Sequence, residues 1–174
     1  MTEHRKRHLA AVWFADIVGY TELAARDEDA ALAVVDDLQR IAHEEVEARD
    51  GRIVKFQGDG VLSVFDSADA SLRSALALRD GFTGSEAARR QECAIRIGVH
   101  VVEVVEAEDG DVYGDGVNTA SRIEGQAEPG QVVVSEDVHR LLKQQAAHEF
   151  GRFGPVKPRE SRSRCGYTSL VRLA

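Results

Sequence analysis

"HLAAVWFADIVGYTE", residues 8–22, decides how the rest of the chain is read. Leu9 to Ala15 is an unbroken apolar run of strand length, and it ends on a carboxylate, Asp16. Residues 9–16 therefore read as a buried first strand. Ile17-Val18-Gly19-Tyr20-Thr21 follows, a glycine turn running into a helix start. An acid at the tip of such a strand is costly unless it binds something. Backbone N–H groups of Val18, Gly19, Tyr20 and Thr21 at a helix start offer a cradle for an anion.

Working outward, Asp27 caps a long helix reaching about Arg49, with Ala31, Val34, Val35, Leu38, Ile41, Ala42 and Val46 at helical spacing. Asp50-Gly51 stops it. Arg52–Gln57 and Val61–Phe65 are short β-rich runs joined by Gly58-Asp59-Gly60, a strong hairpin signal. A second helix spans about Ala68–Phe82, with Leu72, Ala75, Leu76 and Leu78 near one face. Ala94–Val105 is a further strand, and the acidic loop Glu106–Asp111 comes next. Residues 115–127 read as helical, Glu128-Pro129-Gly130 turns, Gln131–Val134 is a strand, and Ser135 caps a helix over Glu136–Lys143. Lys157–Arg164 is a polar, basic loop. The order β-α-β-β-α-β plus C-terminal additions predicts an α+β fold, a ferredoxin-like βαββαβ sheet with helices on one face.

At 174 residues the chain reads as one domain, 1–174, with a core over about 8–154. A net charge of −8 argues against nucleic acid or a membrane surface as partner, since both want excess Lys and Arg. No apolar run reaches the roughly 18–20 residues of a membrane span. The basic start MTEHRKRHLA lacks the apolar stretch and cleavage site of a signal peptide. Cys93 and Cys165 are too few for a disulfide framework. A cytoplasmic protein is expected.

Two acids stand in unusual places, Asp16 at a strand end and Asp59 at a hairpin tip. Brought together by neighbouring strands they would repel unless a cation sat between them, and Mg²⁺ or Mn²⁺ shared with substrate phosphates fits. Taken singly, Asp16 also reads as a cap and Asp59 as a turn residue. Further on, Asn118 and Arg122 are four apart and share a helix face, where an amide and a guanidinium suit a ribose and a phosphoryl oxygen. Alone, they read equally as a solvated surface with Arg122 paired to a nearby acid.

FADIVGYTE, IVKFQGDG and GDVYGDGVNTASRIE, in this order and spacing, resemble the catalytic domain of class III nucleotidyl cyclases, the adenylyl and guanylyl cyclases. The likeness runs from about His8 to His139. It implies two divalent cations, Mg²⁺ or Mn²⁺, on Asp16, Asp59 and the backbone carbonyl of Ile17. It implies base selection by Lys55 and Asp111, with Asn118 orienting the ribose and Arg122 stabilising the transition state. Lys55 lies four before Asp59, Asp111 seven before Asn118, and Asn118 four before Arg122. The implied reaction turns ATP or GTP into a 3′,5′-cyclic monophosphate and pyrophosphate. The implied assembly is a head-to-tail homodimer with two composite sites.

Hydrogen-bond polarity then favours ATP. Lys55 only donates and ionised Asp111 only accepts, which complements N1 and the 6-amino group of adenine. Guanine reverses both, and each unpaired group costs roughly 1–3 kcal/mol. Guanylyl cyclase and a weakly catalytic, regulatory nucleotide-binding domain are the alternatives. A diguanylate cyclase should carry a Gly-Gly-Asp/Glu-Glu-Phe stretch, and none is present.

The chain departs from the family in three places. Val101-Val102-Glu103 stands where relatives commonly carry a small residue or glycine, and is expected to crowd the sheet or the dimer wall. The acidic loop 106–110 is short. Near the end, Gly154-Pro155-Val156-Lys157-Pro158-Arg159-Glu160 replaces a Leu-Lys-Gly-like signature, with Arg159, then Lys157, the candidate contact to the terminal phosphate. His100 reads as a strand residue and Cys93 as packing.

Overall fold

The computed structural model describes residues 6–107, 112–113, 115–143, 150–152 and 171–173. In chain order the elements are β1 (Lys6–Ile17), α1 (Tyr20–Arg26), α2 (Glu28–Glu47), β2 (Arg52–Gln57), β3 (Gly60–Phe65), α3 (Ala68–Gly84), α4 (Glu86–Gln91) and β4 (Ile95–Glu106). Then come β5 (Val112–Tyr113), α5 (Asp115–Glu124), β6 (Val132–Val134), α6 (Glu136–Leu142), β7 (Phe150–Arg152) and β8 (Val171–Leu173). Strand order is β2-β3-β1-β4-β6-β8-β7, with β5 paired to β4. The β2-β3-β1-β4 portion is antiparallel throughout, the ferredoxin-like core that the βαββαβ order predicts.

Period-two alternation along β1 gives the sheet two different faces. Ala11, Trp13, Ala15 and Ile17 point into the main core, against α2 and α3. Trp13 and Phe65 meet there with ring centroids 6.4 Å apart. Ala31, Val34, Val35, Leu38, Ile41, Ala42 and Val46 are the buried stripe of α2, the residues its spacing predicts. The even-numbered Ala10 and Val12, with Phe14, pack in a second cluster with Val64, Val104, Val112 and Ala120 on the opposite face. That face is covered by α5, which lies outside the βαββαβ unit.

Helix α5 lies so close to the sheet that only glycine fits beneath it. A Cβ added to Gly98 would stand 2.3 Å from the backbone nitrogen of Glu124 and 2.6 Å from the carbonyl oxygen of Ala120. Both are main-chain atoms, so relief requires moving the helix. Gly98→Ala is expected to cost about 3 kcal/mol. By calorimetry that is a Tm lower by roughly 10 °C, and an unchanged Tm would show that α5 yields freely.

Several features go beyond the sequence reading. A separate α1 ends at Asp27, which caps α2 by accepting the N–H of Ala30 at 3.0 Å. Ser85 ends α3 and caps α4 in the same way, accepting from Ala88 at 3.4 Å. Strand β1 starts three residues early, and near this end Arg7 forms an ion pair with Glu103 of β4 at 3.9 Å. Strands β5, β7 and β8 are additional. Within the chain, Val101 and Val102 do not crowd the sheet: their register partners are Ala11 and Ala10, small enough to leave room.

Candidate active site

The strand alternation that sends Trp13 into the core sends Asp16 to the α5 face, at the edge of that layer. Asp16 pairs in register with Gly60 of β3 on one side and Arg96 of β4 on the other. Asp59 immediately precedes Gly60, in the two-residue turn that closes β2 onto β3. Gly58 opens this turn at φ +60°, a conformation a side chain would disfavour. The N–H of Ile17 donates to the carbonyl oxygen of Asp59 at 3.3 Å, tying the hairpin tip to the strand end.

Asp16 and Asp59 therefore meet, side chain against side chain. Burial first, and then the neighbouring Asp59 carboxylate, push Asp16 up to about 6 against the pull of Arg96. The Arg96 Nη2 group donates to Oδ2 of Asp16 at 3.2 Å. Its Nε forms an ion pair with Oε1 of Glu124 at the end of α5. Glu124 is only 5% exposed, and burial holds it up at about 7 although Arg96 opposes the shift.

That elevation gives a pH signature. A carboxyl whose folded pKa exceeds its unfolded one makes the fold less stable as pH rises from the unfolded to the folded value. For Glu124 the window runs from about 4.5 to about 7, and for Asp16 from 3.8 to about 6. In EDTA the parent is expected to lose about 1 kcal/mol more than Glu124→Gln between pH 6 and 8. Parallel Tm profiles for the two proteins would refute the shift.

The other expected residues fall into three groups. Asn118 and Arg122 lie on the exposed side of α5, whose opposite side buries Ala120, Ile123 and Glu124. Lys55 is half-buried on β2, opposite Leu62, next to a bulge at Ile53/Lys55. Gly19 opens α1 at φ +75° with no side-chain cap, leaving the N–H groups of Tyr20 and Thr21 to solvent or a ligand. Val18 is a correction: its N–H donates to the carbonyl of Ala94 at 2.9 Å and is not available to a phosphate. Asp111, Lys157 and Arg159 lie outside the described residues. His100 is a strand residue as expected, its Nδ1 2.9 Å from the Ser135 hydroxyl. Cys93 packs against the main core.

Arg96, Glu124 and Gly98 were not among the expected site residues. A charged residue at Arg96 inside the apolar strand was the available signal, since it demands a partner. Glycine in a strand interior was the other, since it marks close approach.

Comparison with known proteins decides the family. The model of the adenylate and guanylate cyclase catalytic domain matches residues 2–165. The chain belongs to that cyclase family. An adenylate cyclase of Streptomyces coelicolor is 36% identical over 125 residues, covering 71% of this chain and 32% of that protein. An adenylate cyclase of Glutamicibacter nicotianae is 31% identical over 159 residues, 86% of this chain and 38% of that one. The chain thus spans about a third of the length of these curated relatives. Among solved structures, an adenylate/guanylate cyclase/hydrolase from Silicibacter pomeroyi superposes with a TM-score of 0.79 at 33% identity, covering 97% of this chain and 96% of that one. The adenylyl cyclase CyaB from P. aeruginosa shares the cyclase fold, with a TM-score of 0.84 at 21% identity over 98% of this chain and 96% of that one.

Cyclase domains bind a nucleotide, and this family generally uses divalent metal ions. Among the described residues no group of three or more His, Cys, Asp or Glu side chains is disposed to hold an ion. Asp16 and Asp59 together present hard carboxylate oxygens whose mutual repulsion a divalent cation would relieve, so their chemistry fits such an ion. Among the described residues no helix is long and apolar enough to cross a membrane.

Proposed function

We propose that this cyclase domain is an adenylyl cyclase, converting ATP to 3′,5′-cyclic AMP and pyrophosphate at sites shared by two copies of the chain. The observation that carries this reading is the meeting of Asp16 and Asp59 at the end of β1. A sheet that brings two acids into contact at its rim sacrifices stability, and cation binding is what such an arrangement serves.

Asp16, Asp59 and the Ile17 carbonyl would hold two divalent cations, Mg²⁺ or Mn²⁺, which when bound would acidify the ribose 3′-hydroxyl and neutralise triphosphate charge. The 3′-oxygen, its proton passing to solvent, would attack the α-phosphorus in line, the new P–O bond forming as the bond to pyrophosphate breaks. Arg122 would supply fixed positive charge to the α-phosphoryl oxygens, and Asn118 would hold the ribose. Lys55 and Asp111 would read adenine. Tyr20 and Thr21 N–H groups, with Gly19 and Arg159, would meet the remaining phosphates.

Helix α5 favours a shared site. Its inner side contacts the sheet through Ala120 and Glu124, so Asn118 and Arg122, roughly half a turn away, face outward from their own chain's acids. A second, head-to-tail copy would receive them.

Purified domain incubated with Mn²⁺ or Mg²⁺ and either ATP or GTP tests the reading. Cyclic AMP and pyrophosphate from ATP are expected. Nucleotide binding with no cyclic product would overturn it in favour of a regulatory domain. Lys55→Ala is expected to erode the preference for ATP over GTP by about tenfold, the worth of one base contact, while Mn²⁺ binding stays put. Untouched selectivity would remove Lys55 from base recognition.

A further inference from the structure

We propose that Arg96 is a resident counter-cation for Asp16 and that Glu124 is a positioning residue controlling how firmly Arg96 stays there, so that the two together set the metal affinity of the acid pair. The inference rests on the reading that Asp16 and Asp59 bind metal.

Arg96 is directly across from Asp16 in the β1–β4 register, so the backbone itself delivers the guanidinium to the acid. Its fork divides between two carboxylates, Nη2 going to Asp16 at 3.2 Å and Nε to Glu124. Guanidinium can do this because its donors are rigid and diverge. The two claims on it are unequal. Asp16 retains 24% of its side-chain exposure, whereas Glu124 retains 6% and has no water to fall back on. Glu124 also cannot retreat, because α5 rests on the backbone at Gly98.

Counting charges shows what is missing. Asp16 and Glu124 both bear on Arg96 and Asp59 bears on both acids, so with all three ionised a single guanidinium leaves negative charge unbalanced, which a divalent cation would offset. A cation approaching Asp16 must compete with Arg96 for Oδ2, and Glu124 is the group that draws Arg96 away. Removing the arginine should therefore help the metal. Removing the glutamate should hurt it, by leaving Arg96 with Asp16 as its remaining partner.

The test is binding of Mn²⁺ alone, without nucleotide, by calorimetry or electron paramagnetic resonance. Screened by a water-like dielectric at this partly exposed rim, a unit charge several ångströms from a divalent ion is worth about tenfold in affinity. Arg96→Gln is expected to bind Mn²⁺ about tenfold more tightly than the parent, and Glu124→Gln about tenfold more weakly. In the Arg96→Gln background, Glu124→Gln should cost no more than about twofold, because the group it acts through is gone. Arg96→Gln leaves Glu124 buried and unpaired and can fail to fold. The double variant has no unpaired buried charge, and it should bind Mn²⁺ at least about fiftyfold more tightly than Glu124→Gln alone. Unchanged or weakened Mn²⁺ binding on removing Arg96, or additive effects of the two substitutions, would overturn the proposal. Asp16→Asn separates the layers: if Mn²⁺ binding survives it, the metal-site reading has failed, not merely its tuning.

Discussion

Asp16→Asn protein is expected to make cyclic AMP roughly 10³-fold more slowly than the parent, or not at all, while melting at a higher temperature in EDTA at pH 8. The two effects share one cause. Burial and the Asp59 carboxylate hold Asp16 up at about 6, so at pH 8 the folded chain carries a charge it disfavours. An uncharged isostere removes that penalty, a gain of about 1–2 kcal/mol after the loss of its bond to Arg96. A substitution that merely disrupted the sheet would lower activity and stability together. Opposite movements, read by product assay and calorimetry on one preparation, identify a functional acid kept at structural expense. Falling Tm with falling activity would make Asp16 a structural residue.

The second large effect needs two defective proteins. Asp16→Asn and Arg122→Ala are each expected to be inactive alone. If the site is shared, a mixed dimer carries both lesions in one site and neither in the other. Random pairing of equal amounts makes about half the dimers mixed, each with one intact site of two, so about a quarter of the parental activity should return on mixing. No single-chain site can produce that recovery. Activity that stays at zero after subunit exchange would place Arg122 with the acids of its own chain, against the outward orientation of α5.

Much of this architecture was legible from periodicity. The apolar run ending at Asp16, the hairpin around Asp59 and the buried stripe of α2 are local patterns, and local patterns survive folding. So do caps, as Asp27 and Ser135 show. Shorter elements escaped for a physical reason. Helix α4 spans six residues and β8 three, too few for a period to register, and tertiary contacts decide them. The partnership of Arg96 with Glu124 was illegible in a stronger sense. The residues are 28 positions apart, and only the descent of α5 onto Gly98 makes them neighbours. The unavailability of the Val18 N–H likewise depends on where Ala94 falls across the sheet.

One strand carries two obligations on alternate residues, Trp13 and Ile17 inward and Phe14 and Asp16 outward. Point substitutions can burden one obligation and spare the other. Gain or loss of a single codon between positions 10 and 16 cannot, because every residue beyond it changes sides. This segment should then accept amino-acid replacement over evolutionary time while rejecting length variation, a constraint on its gene as much as on its product.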